Sequence, residues 1–135
     1  MSIGTGGYAE LMVQDETALI YQYTCYNLNT ADWKKHKESL DGELLIQRAA
    51  LIEPILRVKQ MRSPSGRKRQ VVRRIRQEIP LEELLASGKV TVQNAGGTWT
   101  TTEAGIDIAA LRLIERVFYL YQDNGTVPEQ VFFYC

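Results

Sequence analysis

The sequence predicts an α+β fold. An antiparallel or mixed sheet of about five to seven strands packs on one long C-terminal helix, in two layers, with short extra helices. Three observations lead there. The first is the stretch Thr101 to Asp123, where apolar residues recur at Ile106, Ala109, Ala110, Leu113, Val117, Leu120 and Tyr121. That spacing is one face of a helix. Ile108, Leu111, Ile114 and Phe118 widen the face, leaving a narrow polar stripe of Asp107, Arg112, Glu115, Arg116, Tyr119, Gln122 and Asp123. A helix so apolar needs covering on more than one side. The second observation is a set of short β-branched and aromatic runs separated by turn residues, the pattern of strands. The third is composition: 44% apolar and 24% charged residues in a chain of 135. Those proportions suit one domain with a real core and exclude wholesale disorder.

In chain order, Met1 to Gly7 is glycine-rich. Its Gly4-Thr5-Gly6-Gly7 suggests a phosphate loop only weakly, since Ala9 stands where the dinucleotide fingerprint needs a third glycine. Tyr8 to Val13 and Thr17 to Tyr26 read as two strands around a turn at Gln14-Asp15-Glu16. In the second, Leu19, Tyr21, Tyr23 and Cys25 point one way, and Ile20, Gln22, Thr24 and Tyr26 the other. Those tyrosines suit a sheet–helix boundary better than a platform for stacking bases. Asn29 or Thr30 caps a short helix, Ala31 to Leu40, with Trp33 and Leu40 inward. Its Lys34-Lys35-His36-Lys37 reads as a solvated face, and His36, the single histidine, has no carboxylate at a metal-ligand spacing.

Asp41-Gly42 is a turn. Glu43 to Glu53 suits either strand or helix, strand being preferred, and Pro54 ends it. Ile55 to Arg62 and Arg69 to Arg76 form a second hairpin over the type I turn Ser63-Pro64-Ser65-Gly66. Pro80 opens a helix over Leu81 to Ala86, and Lys89 to Gln93 is a strand. Trp99 is expected to fold back on the start of the long helix. Thr100-Thr101-Thr102-Glu103 fits a capping box for that helix, and Asn124-Gly125 fits its end. Over this span the helix would be roughly 33 Å long. Val131 to Tyr134 is a last strand, added to a sheet edge of this molecule or of a neighbour.

The net charge of zero conceals a segregation. Between Pro54 and Gln77 lie nine cations and no acid: Arg57, Lys59, Arg62, Arg67, Lys68, Arg69, Arg73, Arg74 and Arg76. The rest of the chain carries 7 basic and 16 acidic residues, hence −9 against +9. Seven of the nine are arginines, whose planar fork matches phosphate oxygens. These nine are the candidate site, a ribbon that binds nucleic acid or another polyanion. The alternative is a protein–protein or homo-oligomer module in which the hairpin meets an acidic surface. No aromatic residue lies within the hairpin, so base stacking would need rings from elsewhere. The tip Pro64 to Arg69 resembles, in outline, the ribbon arms of histone-like architectural proteins, without the helical dimer body from which those arms extend.

Catalysis is not expected. The chain has no phosphate-binding Walker loop, nucleophile elbow, HExxH or CxxC. Glu82 and Glu83 are adjacent and so do not share a helix face. No cofactor or metal is implied. Cys25 and Cys135 make no disulfide framework and read as reduced thiols. No basic-then-apolar leader opens the sequence, and Arg112, Glu115 and Arg116 interrupt any membrane span, so a cytoplasmic protein that does not enter the membrane is expected.

Overall fold

The structure, a computed structural model, describes residues 4–134. Cys135, the second of the expected thiols, lies outside them. Five strands form one antiparallel sheet: β1 (Thr5–Gln14), β2 (Ala18–Asn27), β3 (Gly42–Gln47), β6 (Val90–Gln93) and β7 (Gln130–Tyr134), in the order β6-β3-β2-β1-β7. A separate two-stranded ribbon pairs β4 (Ile55–Arg62) with β5 (Lys68–Ile75). The helices are α1 (Trp33–Glu38), α2 (Leu81–Ala86) and α3 (Ile108–Asn124). The expected α+β class holds, and every strand pair is antiparallel.

The alternation expected in β2 is observed. Leu19, Tyr21, Tyr23 and Cys25 are fully buried against α3, which supplies Ala110, Leu113, Ile114 and Val117 to the same core. The segment 43–53 divides: a strand to Gln47, then a 3₁₀ turn over Arg48–Ala50. β7 closes the sheet within the molecule, pairing Tyr8 with Phe132 and Ala9 with Val131. Trp99 is half-buried against the core and lines a pocket together with Ile108 and Ala109 of the first turn of α3.

Of the glycines in the N-terminal stretch, Gly6 and Gly7 enter β1, while Gly4, at φ 62°, precedes it. A side chain on Gly6 would meet the Tyr26 ring, and one on Gly7 would clash with the Phe133 ring. Rings lying over the strand require bare backbone there.

The start of the long helix differs from expectation. It begins at Ile108, so at 17 residues it is about 26 Å long. Thr100 to Glu103 is not its cap. Thr101 pairs in an isolated bridge with Asp107, and Gly105, at φ 83°, turns the chain between them. The cap is Asp107, whose Oδ1 accepts from Ala109 N at 2.9 Å. The other oxygen of this fully buried carboxyl gathers the core's polar groups. Oδ2 accepts from Tyr23 Oη at 2.7 Å and Cys25 Sγ at 3.2 Å, and Thr98 Oγ1 lies 3.1 Å away. Asn94 Oδ1 accepts from Asp107 N, and Tyr23 Oη accepts from Ala95 N, both at 2.9 Å. Burial, with Asp107 beside them, pushes both the Tyr23 hydroxyl and the Cys25 thiol well above their ordinary range, so both stay protonated donors. Cys25 is thus a buried structural thiol.

Replacing this carboxyl removes a helix cap and leaves buried donors without an acceptor. Asp107→Ala is expected to lower stability by about 3 kcal/mol or more. Urea unfolding followed by far-UV circular dichroism checks it, and a loss below about 1 kcal/mol contradicts the assigned role.

Candidate nucleic-acid interface

The ribbon is built by its turn and held at its base. Gly66, at φ 81°, occupies the left-handed region, and its N–H donates to Ser63 O at 2.9 Å. Ser63 N in turn donates to Arg67 O at 2.8 Å, closing the tip. Every residue of β4 is exposed, and so is β5 up to Ile75. Eight residues per strand carry the paired section about 26 Å.

Register assigns the cations to two faces. Arg57, Lys59, Arg69 and Arg73 share one, and Arg62, Lys68 and Arg74 the other, with Arg67 at the tip. Arg57 stands directly opposite Arg73, and Arg62 opposite Lys68. Like charges directly opposed in an antiparallel pair weaken it. The second face also carries Val58 opposite Val72, both more than half exposed.

The last turn of α3 holds the base of the ribbon. Arg76 makes a bidentate pair with Asp123, at 2.9 Å from Nε to Oδ1 and 2.5 Å from Nη2 to Oδ2, and its guanidinium covers the Tyr119 ring at 4.9 Å. The hydrogen bonds and charge of Arg76 hold the Asp123 carboxyl below the usual range. Arg74 donates to Gln122 O at 3.3 Å, where the helix dipole favours a cation. Gln122 itself is fully buried. Its Oε1 accepts from Gln77 N at 2.6 Å, and its Nε2 donates to Gln77 O at 3.0 Å. On the incoming side, Gln77 Nε2 donates to Glu53 O at 2.6 Å, and Tyr121 Oη donates to the Glu53 carboxyl.

The nine cations therefore divide. Arg74 and Arg76 anchor the ribbon. Arg57, Lys59, Arg62, Arg67, Lys68, Arg69 and Arg73 reach no carboxylate among the described residues. In the sequence Gln122 is indistinguishable from the rest of the polar stripe of the helix. Only the position of residue 77 beside it explains why an amide is buried there.

The opposite end of α3 is different in character. A surface groove of about 710 Å³ lies between α2, the turn before α3 and α3 itself. Leu81, Leu85, Ile106 and Leu111 line it, and Glu82, Glu103 and Glu115 stand at its rim.

His36 is more engaged than a solvated face would make it. Its Nε2 lies 3.1 Å from Asp32 Oδ2 one turn earlier, and its carbonyl accepts from the Thr24 hydroxyl. The Thr24 contact ties α1 to β2. Among the described residues, no group of acids, histidine and cysteine could hold a metal ion. No helix is long and apolar enough to cross a membrane.

Gln122→Ala should free the base of the ribbon while sparing the sheet. Hydrogen exchange is expected to accelerate at the amides of β4, β5 and Gln77, with the β2 amides unchanged. Equal acceleration throughout would refute the clasp. These features rest on the chain's own geometry, for it matches no family model, no curated protein and no solved structure.

Proposed function

We propose that the β4–β5 ribbon is a non-enzymatic binding element for nucleic acid. One observation carries the reading: seven cations project from a ribbon exposed on both faces, two pairs of them directly opposed, with no internal carboxylate to offset them. An anionic backbone lying along the ribbon supplies the missing countercharge. A two-stranded ribbon has the dimensions to enter a major groove, and arginine forks suit the phosphates on its walls. Anchoring both ends of the ribbon to the end of α3 presents it with less conformational freedom to lose on binding.

The acid-rimmed apolar groove at the far end of α3 favours a second reading. Val58 and Val72, flanked by cations, match that groove in polarity and charge. A second copy could seat its ribbon there, head to tail.

One pair of substitutions separates the two. Fluorescence anisotropy with a 20-base-pair duplex should show binding that weakens with salt, log K falling against log salt with a slope no steeper than about −6 for seven phosphate contacts. Arg67→Glu with Arg69→Glu is expected to abolish it at physiological salt. Absence of binding at low salt rejects the nucleic-acid reading. If the same substitutions instead lower the mass measured by light scattering, the ribbon is a subunit contact.

A further inference from the structure

The outer face of the sheet, away from α3, carries a cluster of rings that the ribbon does not involve. β1 lies between β2 and β7, so outward-pointing residues of three strands come together there. Tyr26 and Tyr134 flank Gly6, and Phe132 lies beside Tyr8. Phe132 and Tyr134 are 53% and 70% exposed, and their rings meet edge to face at 5.8 Å. Gly6 bears no side chain, so the Tyr26 ring lies down over the strand. Tyr8 is fixed by a 2.9 Å hydrogen bond to the Glu10 carboxyl.

Cations stand beside these rings. α1 crosses the end of β2 and brings Lys37 over both Tyr26, at 5.4 Å, and Trp33, at 5.9 Å. Lys34 lies 5.6 Å from the Trp33 ring. Gly7, Tyr8, Tyr26, Lys37, Phe132 and Tyr134 line a half-open surface cavity of about 220 Å³. That is below the usual size of a drug-sized pocket and suits one planar ring.

We infer that this cavity is a separate stacking site for a single base of a single-stranded nucleic acid, with Lys37 taking an adjacent phosphate. Every base has a π face, and exposed rings beside a cation are how strands without defined sequence are held. An apolar contact with a second copy fits less well. Towards the sheet centre the same face turns polar, with Gln22, Glu10 and Gln130 in one cross-strand row, so no continuous apolar surface is available to match itself. The site goes beyond the ribbon reading and does not depend on it.

The probe is a fluorescein-labelled hexathymidylate, titrated by anisotropy against the full chain. Binding is expected, and it should persist in the Arg67→Glu, Arg69→Glu chain. Phe132→Ala should weaken it on the order of tenfold or more, while Phe132→Trp retains it. Lys37→Glu should weaken it and flatten its salt dependence. Phe132 is exposed on an edge strand, so its substitution leaves the core intact. The inference is overturned by absence of binding to the oligonucleotide, or by unchanged affinity in Phe132→Ala. Loss of binding in the ribbon variant would also overturn it, assigning the contact to the ribbon. So would a fall in light-scattering mass in Phe132→Ala, which would make this face a contact between copies.

Discussion

The Asp107 carboxyl is the interaction on which the arrangement of the layers depends. It caps α3 through Oδ1 and holds the inner face of β2 through Oδ2, where Tyr23 and Cys25 donate. One side chain thereby sets where the helix begins, how far along the sheet it sits, and how the loop carrying Ala95 and Thr98 closes over it. A buried polar cluster of this kind is favourable only when every member is satisfied. No buried side-chain nitrogen or oxygen is left without a partner among the described residues. Apolar packing supplies most of the driving force for folding but is tolerant of sliding. The directional contacts to Asp107 select one register.

Position is transmitted along α3 to the other end of the molecule. The helix is about 26 Å long, and its last turn meets the ribbon through Tyr121, Gln122 and Asp123. Gln122 performs at the ribbon the task Asp107 performs at the sheet: a buried polar side chain that satisfies backbone groups another segment brings in. The ribbon itself has almost no buried surface, so its own pairing and this clasp must hold it. An isolated two-stranded hairpin is marginal in water. Its attachment to a rigid helix end is therefore a condition of its being ordered.

These two devices also mark what was legible in the sequence. Alternation in β2, the Ser63-Pro64-Ser65-Gly66 turn and the segregation of charge are local patterns, and each appears in the structure as read. The helix start is obscured in the sequence because Thr100 to Glu103 imitates a capping box. Gly105 and the pairing of Thr101 with Asp107 divert that stretch into a turn. The strand preference over 43–53 held for its first half only, since Arg48–Ala50 coil into a 3₁₀ turn. Gln122 could not be found from helical periodicity, because its partner lies 45 residues away. The ring cluster was invisible for the same reason. Of the tyrosines weighed as a platform, Tyr21 and Tyr23 are buried in the core, whereas Tyr8 and Tyr26 line the cluster. The exposed rings, Phe132 and Tyr134, come from β7 and the half-buried Tyr8 beside them from β1, strands from opposite ends of the chain that only the fold makes neighbours.

The opposed cations bear most directly on what the ribbon is for. A ribbon that serves only to avoid edge pairing needs charge, but it does not need arginine facing arginine. Interspersed acids would give the same solubility and strengthen the strand pair. The chain has acids enough, 16 of them, yet none lies between Pro54 and Gln77. Of the seven cations beyond the anchors, none is turned toward a carboxylate among the described residues. Self-repulsion within the ribbon is thus a cost with no internal offset. In the reading proposed, a bound polyanion removes it, so the interaction that weakens the free ribbon becomes part of the driving force for association. Salt screens the repulsion between these exposed cations and, through counterion release, also weakens their attraction to phosphate, so both effects oppose binding as ionic strength rises.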